Sequence, residues 1–203
     1  PAVRRSAAMG HVCPGSAGQE SLPVAAILGR RQRAVTNTSS MELHVTTESS
    51  EQTQRLGGAL GAWLLPGDVI LLHGDLGAGK TTLAKGIARA VGVGDTVSSP
   101  SFALVNEYAL PRLRLFHLDL YRLNDPADLE SIGFVELTST EDGIAIVEWP
   151  ERAGALLPDR YLLVDIAYAG ADRRSVLVTG VPESAWLDRL PVLQQALTSL
   201  QPA

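Results

Sequence analysis

The sequence is poor in cysteine and in long apolar runs, and each shortage excludes a class of protein. A single cysteine, Cys13, rules out intrachain disulfides and multi-thiolate metal sites. The longest apolar run near the start, Val24–Leu28, is far shorter than the ~20 residues that a membrane-spanning helix needs. Polar residues directly before it also make it a poor signal-peptide core. We therefore expect a soluble protein of the reducing cytoplasm.

Positive charge is scarce as well. The chain carries 17 lysine and arginine residues against 22 aspartate and glutamate residues, which gives a formal net charge of −5 at pH 7. Because no global positive field would attract a nucleic-acid backbone or an anionic membrane, direct binding to either is not expected. Any link to nucleic acid is expected to depend on a partner protein.

The length and composition indicate one compact domain with a tail in front of it. A chain of 203 residues that is 45% hydrophobic can bury one good core. Residues 1–40 are rich in glycine, serine, alanine and arginine and lack sustained periodicity, which predicts a disordered N-terminal extension. The folded domain is therefore predicted to span residues 41–203.

The remaining sequence alternates between strand and helix patterns. Apolar residues at helical spacing predict a helix over 48–64, the continuous apolar run Val69–Leu72 predicts a buried strand, and a second helix is predicted over Lys80–Val91. Pro191 is expected to break a helical tail over 183–200 into two pieces. Further strands are predicted at Glu42–Thr46, Ala103–Leu110, Arg112–Leu118, Gly143–Val147, Tyr161–Ala167 and Ser175–Thr179, and short helices at Pro126–Ser131 and Glu151–Leu157.

This order of elements predicts an α/β fold. Strands that alternate with helices favour a P-loop NTPase-like three-layer sandwich with a mixed, mostly parallel central sheet. Two adjacent strands, around Asn106 and Arg114, are expected to pair antiparallel.

A phosphate-binding loop carries the strongest functional signal. The pattern G-x-x-x-x-G-K-[ST] matches at Gly74, Gly79, Lys80 and Thr81, between a predicted buried strand and a predicted helix. Backbone N–H groups and the helix N-terminus would hold phosphate oxygens, Lys80 would reach the β- and γ-phosphates, and the Thr81 hydroxyl would ligate Mg²⁺. The nucleotide contacts predicted for this loop are Gly77, Ala78, Gly79, Lys80, Thr81 and Thr82.

The base is expected to be adenine. A guanine-specific Asn-Lys-x-Asp element needs asparagine before lysine, but Gly79 and Ala84 precede Lys80 and Lys85, which are the two lysines of the chain. The predicted cofactors are therefore ATP and Mg²⁺, although other ways to recognise guanine exist.

Two carboxylates are candidates for the remaining chemistry. Asp119 and Glu148 each end an apolar strand pattern, and ligands of open α/β sheets bind at the carboxyl ends of the strands. Each could instead be a surface carboxylate at a strand end, and position alone does not separate the two interpretations. Trp149 could be a core residue or could cover the nucleotide. His117 and His44 are expected to be ordinary packed or surface residues.

The segment Val97–Phe102 lies where P-loop proteins often keep a loop that senses the γ-phosphate. The alternative, which position alone favours, is an ordinary connection stiffened by Pro100.

Four motifs follow one another along the chain. They are Gly74-Asp75-Leu76-Gly77-Ala78-Gly79-Lys80-Thr81-Thr82, Ser99-Pro100-Ser101-Phe102, His117-Leu118-Asp119-Leu120-Tyr121-Arg122-Leu123 and Val147-Glu148-Trp149-Pro150-Glu151-Arg152. Together they resemble the TsaE family, the small ATPases of tRNA threonylcarbamoyladenosine biosynthesis. The resemblance covers roughly residues 41 to 179, and one departure is Ser101, where the family usually has threonine.

The resemblance implies roles for particular residues. Thr81 and Glu148 would contact Mg²⁺, and Asp119 would serve the Walker-B role at the metal. Glu148, Asp119 and Lys80 would be the catalytic residues. The segment with Ser99 and Ser101 would be the nucleotide-sensing switch, and the regions around Ser50, Thr53 and Asp172-Arg173 would border the nucleotide.

The resemblance also implies partners. These are the TsaD and TsaB proteins, which modify adenosine 37 of tRNA, and ATP hydrolysis would reset their complex between cycles. Phosphate release would be slow without them. Two alternatives remain: a P-loop small-molecule kinase, which would normally need a basic lid that the sequence does not show, and a nucleotide-sensing module in which Glu148 has no catalytic part.

Overall fold

A computed structural model describes residues 42–94, 97–100, 103–123 and 125–198. The predicted extension over 1–40 and the candidate residue Ser101 lie outside these ranges. Within them, no helix is both long enough and apolar enough to cross a membrane. The strands are β1 Glu42–Thr47, β2 Val69–His73, β3 Val105–Ala109, β4 Arg114–Asp119, β5 Gly143–Glu148, β6 Tyr161–Tyr168 and β7 Arg174–Val181, and the α-helices are α1 Ser50–Trp63, α2 Lys80–Val91, α3 Pro126–Ser131, α4 Phe134–Thr138 and α5 Leu190–Thr198.

The described strands form one seven-stranded sheet in the order β1-β7-β6-β2-β5-β4-β3. The four central strands, β6, β2, β5 and β4, are parallel neighbours, whereas β7 and β3 pair antiparallel to them. Because β1 is antiparallel to β7, it runs in the same direction as the central four. Five of these seven strands therefore point the same way, which confirms the predicted mixed, mostly parallel sheet.

Apolar clusters cover both faces of the sheet and make three layers. On one face, α1, α2 and α5 contribute Leu60, Ile87 and Leu193 to a core that includes Ile70 and Leu72 of β2. The opposite face carries α3 and α4, whose Leu129 and Phe134 pack in a second core with Val69 and Leu71. Alternate residues of β2 thus enter opposite cores, because successive side chains of a strand point to opposite faces.

Local sequence explains where the helices near the loop begin and end. Ser49 caps α1, and its hydroxyl accepts a hydrogen bond from the Gln52 N–H at 3.2 Å. At the C-terminus of α2, Gly92 adopts the left-handed conformation with φ 113°, as is typical of the end of a helix. The helix predicted over Lys80–Val91 is confirmed with the same bounds.

One prediction about helices was wrong. The helix expected over Glu151–Leu157 is two short 3₁₀ segments, Pro150–Arg152 and Gly154–Leu156. The tail is divided into two pieces as expected, the 3₁₀ segment Glu183–Ala185 and α5, and Pro191 lies in the first turn of α5, where a missing N–H removes no hydrogen bond. The helix α4 was not predicted, since five residues are too few for a clear apolar period.

Candidate phosphate-binding site

The loop between β2 and α2 is shaped by glycines with positive φ. Gly74, Gly77 and Gly79 have φ values of 141°, 77° and 114°, a region that other residues rarely adopt. Gly79 is the N-cap of α2 and has no side chain with which to cap it. The N–H groups of the first turn therefore point out of the helix end, as in a phosphate-binding loop.

Lys80 lies against the inside of this loop. Its side chain is buried, and its Nζ donates to the carbonyl oxygens of Gly74 at 2.7 Å and Asp75 at 2.8 Å. The Nζ also lies 3.7 Å from the centre of the Trp149 ring. Burial lowers the pKa of Lys80, because it disfavours the charged form, while nearby carboxylates, Glu148 foremost, oppose the shift.

Glu148 is held through both of its carboxylate oxygens. The Thr81 hydroxyl donates to Oε2 at 2.9 Å, and the His117 Nε2 lies 2.8 Å from Oε1. Both Glu148 and His117 are buried, with side chains 2% and 0% exposed. The second residue of α2, the end of β5 and the interior of β4 therefore meet at one carboxylate.

Asp119 lies beside Glu148 with different partners. The two residues are opposite each other in the parallel pairing of β4 and β5. The Tyr121 N–H donates to Oδ1 of Asp119 at 3.1 Å, and the Ser99 hydroxyl lies 3.4 Å from Oδ2. Asp119 thus joins the end of β4 to the segment in which the sensing switch was expected.

A cleft of ≈ 230 Å³ opens beside the loop and brings most of the candidate residues together. Of the predicted residues, Gly77, Gly79, Lys80, Thr81, Thr82, Asp119 and Glu148 line it, together with Leu76, Tyr121 and Trp149. Trp149 therefore forms part of the wall. Its backbone is left-handed, with φ 61°, a strained conformation for a bulky residue.

A smaller cavity of ≈ 100 Å³ lies on the other side of the glycines. It contains the predicted residue Ser50, whereas Arg173 lines neither cavity and instead pairs with Glu48 at 3.0 Å. The residues that line this smaller cavity are Ser50, Thr53, Gly77, Ala78, Gly79, Thr82, Asp172 and Arg174.

Two loop-supporting residues were missed from the sequence. Arg174 Nε donates to the Ala78 carbonyl at 2.9 Å, and the Tyr168 hydroxyl donates to the Leu76 carbonyl, also at 2.9 Å. The Arg174 guanidinium lies 4.6 Å from the centre of the Tyr168 ring. The sequence signal for Arg174 was its position next to Arg173, but which of the two faces the loop depends on strand register.

His73 and Asp165 form a hydrogen-bonded pair directly before the loop. Their Nδ1 and Oδ1 atoms lie 2.8 Å apart, where the last residue of β2 pairs with the interior of β6. The hydrogen bond from Asp165 raises the pKa of His73, with burial opposing it and the charge of Glu151 adding to it. The imidazolium is therefore retained to higher pH beside the loop than in free histidine.

The oxygen donors of the cleft suit a hard cation that is held jointly with a ligand. No group of three or more histidine, cysteine, aspartate or glutamate side chains within the described ranges could hold a metal ion alone. The cleft offers the Thr81 hydroxyl and two carboxylates. Such a set is typical of Mg²⁺, which takes one or two carboxylates and completes its shell with waters and substrate phosphates.

The fold and the loop define an α/β protein of the P-loop class. Comparison with known families identifies the particular one. Residues 47–176 match the family model described as Threonylcarbamoyl adenosine biosynthesis protein TsaE, and the chain belongs to this family. The matched residues cover the loop and both carboxylates, as the four motifs predicted.

Individual relatives agree with this assignment. The tRNA threonylcarbamoyladenosine biosynthesis protein TsaE of Bacillus subtilis is 38% identical over 140 residues, which is 69% of this chain and 87% of that protein. The protein of the same name from Haemophilus influenzae is 41% identical over 110 residues, 54% of this chain and 69% of that protein. The crystal structure of Bacillus subtilis YdiB superposes with a TM-score of 0.62 at 31% identity, over 80% of this chain and 98% of that one.

Proposed function

We propose that this protein is a Mg²⁺-dependent ATPase that supports the t6A37 modification of tRNA by binding and resetting a TsaD–TsaB complex. The observation that carries the proposal is the contact between Thr81 and Glu148 at the base of the cleft. In P-loop hydrolases the corresponding loop hydroxyl and a strand-end carboxylate together hold the metal of the nucleotide. The family membership supports the pathway, and the cleft supports the chemistry.

The shape of the site supports a nucleoside triphosphate rather than a free phosphate. The cleft and the smaller cavity share Gly77, Gly79 and Thr82, so a ligand that passes along these residues reaches both. We assign the phosphates and Mg²⁺ to the cleft, because Lys80 and the oxygen donors are there. The nucleoside then lies toward Ser50 and Arg174.

The proposed catalytic groups divide between the two carboxylates. Glu148 is joined to the Thr81 hydroxyl and is the carboxylate placed to act at Mg²⁺. Asp119 is joined to Ser99 and lines the same cleft, so it is placed to orient or deprotonate the attacking water. Lys80 supplies positive charge to the phosphates once they replace the loop carbonyls at its Nζ.

Exposed apolar residues near the cleft support control by a partner protein. Leu76 is 68% exposed, Tyr121 43% and Tyr168 50%, and the first two line the cleft itself. A protein that covers these residues would also exclude water from the nucleotide, which strengthens electrostatic interactions there. The net charge of −5 is consistent with tRNA being held by the partner.

One experiment tests the proposal. Phosphate release from ATP is measured for the protein alone, for the protein with TsaD and TsaB, and for the Glu148→Ala variant under both conditions. We expect slow release alone, stimulation by the two partners, and a strong loss in the variant.

Three outcomes would contradict it. Stimulation by a small phosphate acceptor instead of the partners would indicate a kinase. An unaffected Glu148→Ala variant would remove this residue from the mechanism, and nucleotide binding without release under any condition would indicate a sensing module.

A further inference from the structure

We propose that His117 is a positioning residue for Glu148, which fixes that carboxylate so that its second oxygen serves Thr81 and the metal. This inference rests on the proposed function, because it assigns a supporting partner to a residue of the same site. His117 begins the motif that contains Asp119, but it was expected to be an ordinary packed or surface residue, and no role was assigned to it.

The position of His117 in the sheet brings it to the site. His117 and Asp119 are two residues apart on β4 and therefore point to the same face, toward α2 and its Thr81. Glu148 lies at the end of the neighbouring strand β5, opposite Asp119. His117 is one step deeper in the sheet than the cleft, which it does not line. It therefore contacts Glu148 from the sheet interior, on the side away from the cleft.

The hydrogen-bond pattern assigns the proton of His117. Its Nε2 lies 2.8 Å from Glu148 Oε1, whereas Nδ1 is buried and has no hydrogen-bond partner in the described part of the chain. An N–H at Nδ1 would be a buried donor without an acceptor, which is costly. The proton is therefore assigned to Nε2, which donates to the carboxylate and leaves only a lone pair unpaired.

This single donor has a directional effect on Glu148. A carboxylate with one oxygen fixed by His117 and the other by Thr81 cannot rotate without breaking a buried hydrogen bond. Residues behind metal ligands orient them in this way. On the same face as His117, Leu115 of β4 and Ile146 of β5 are fully buried and apolar, so packing alone would favour an aliphatic side chain at position 117.

The test compares two variants of similar shape. His117→Gln keeps an N–H donor near the position of Nε2, whereas His117→Met fills the space without a donor. ATP affinity is measured for each by calorimetry in Mg²⁺ and in EDTA. We expect His117→Met to lose about 10- to 100-fold of affinity in Mg²⁺ and little in EDTA, and His117→Gln to recover most of the loss.

Controls separate positioning from folding. Thermal unfolding reports the stability of each variant, and His44→Met, an exposed histidine on β1, should change neither affinity. In a Glu148→Gln background, His117→Met should add no further loss in Mg²⁺, because His117 acts through that carboxylate. An equal loss in Mg²⁺ and EDTA, or an additive loss in the double variant, would overturn the proposal.

A measurement on the unmodified protein covers the case in which His117→Met does not fold. Long-range ¹H–¹⁵N correlation spectra distinguish the two neutral tautomers of histidine. We expect the buried histidine to be protonated at Nε2, and a proton at Nδ1 would contradict the proposal. If the unmodified protein bound ATP without any dependence on Mg²⁺, the proposed function itself would fail, a result distinct from a His117 variant that behaves like the unmodified chain.

Discussion

The two carboxylates of the cleft differ in the partners of their oxygens, and this difference predicts different roles. We expect Asp119→Asn to lower partner-stimulated phosphate release by about 100-fold or more, because a general base or water-orienting group is lost. The asparagine carbonyl can still accept the hydrogen bond that the Tyr121 N–H donates. ATP affinity in Mg²⁺ should therefore stay close to that of the unmodified protein.

Glu148→Gln is the matched comparison for Asp119→Asn. The change removes charge from the carboxylate that Thr81 contacts, so ATP affinity should fall in Mg²⁺ and remain in EDTA. Single-turnover phosphate release and calorimetry on both variants separate the two roles. Equal losses of Mg²⁺-dependent affinity would show that both carboxylates hold the metal and would contradict the division.

Residues of the site differ in how far the sequence alone could place them. Lys80 and Thr81 belong to a fixed local spacing, so a one-dimensional pattern was enough. The apolar run before Glu148 predicted a carboxylate at a strand end but did not separate a site residue from a surface one. Arg174 and His117 reach the site from other strands. Their contacts depend on strand order and register, which local spacing does not specify.

At the scale of elements, α1 and α2 pack closely because glycines line their contact. A Cβ on Gly57 would collide with the Leu83 carbonyl oxygen, whereas a Cβ on Gly58 would meet nothing within 4 Å. We expect Gly57→Ala to lower the free energy of unfolding by roughly 1–3 kcal/mol, since the helices must separate. Gly58→Ala should raise it by about 0.5–1 kcal/mol, because alanine favours the helix without a clash.

Urea unfolding measures the free energy of unfolding of the Gly57→Ala and Gly58→Ala variants. Each adds one methyl group to neighbouring positions of the same helix, so differences in helix propensity cancel. A similar stability change in both variants would show that the close approach of α1 and α2 is not what requires glycine. ATP affinity of Gly57→Ala is a second readout, because α2 carries Lys80 and Thr81 into the cleft.

The bounds of a helix or strand were predictable where a single feature of the local sequence determines them. The bounds of α2 follow from the glycines at its two ends, and β2 and β5 follow from apolar runs that are buried on both faces. The prediction of a helix after β5 was wrong because this segment contains residues in the left-handed conformation. Trp149 has φ 61° and Gly154 has φ 54°. Trp149 is strained at a position in the wall of the cleft, and local sequence propensity does not predict such a backbone conformation.

At the scale of the whole molecule, the sequence predicted the class of the sheet but not its order. The pairing of β1 with β7 joins residues that are about 130 positions apart, such as Leu43 and Val178, and hydrophobic periodicity contains no information about such partners. The position of β2 between β6 and β5 is what brings Glu148 beside the loop, since Leu72 and Glu148 are partners in the sheet.

The end of the sheet opposite the cleft is held by one buried carboxylate. Asp68, at the start of β2, is 2% exposed and accepts hydrogen bonds from Arg160 at 3.0 Å and from Arg189 at 2.9 and 2.7 Å. Arg189 directly precedes α5 and lies 4.3 Å from the centre of the Trp63 ring at the end of α1. The carboxylate therefore joins the ends of two helices and two strands.

Removal of this carboxylate should affect stability and spare binding. We expect Asp68→Ala to lower the free energy of unfolding by about 3 kcal/mol, near the low end for a broken buried pair, because Arg160 still reaches solvent. Asp142→Ala breaks the exposed pair with Arg114 and should change the free energy of unfolding little. Since β2 separates Asp68 from the loop by about 17 Å, ATP affinity at low temperature should not change in either variant. Urea unfolding and calorimetry check both statements, and a loss of affinity in folded Asp68→Ala would show instead that the two ends of the sheet are coupled.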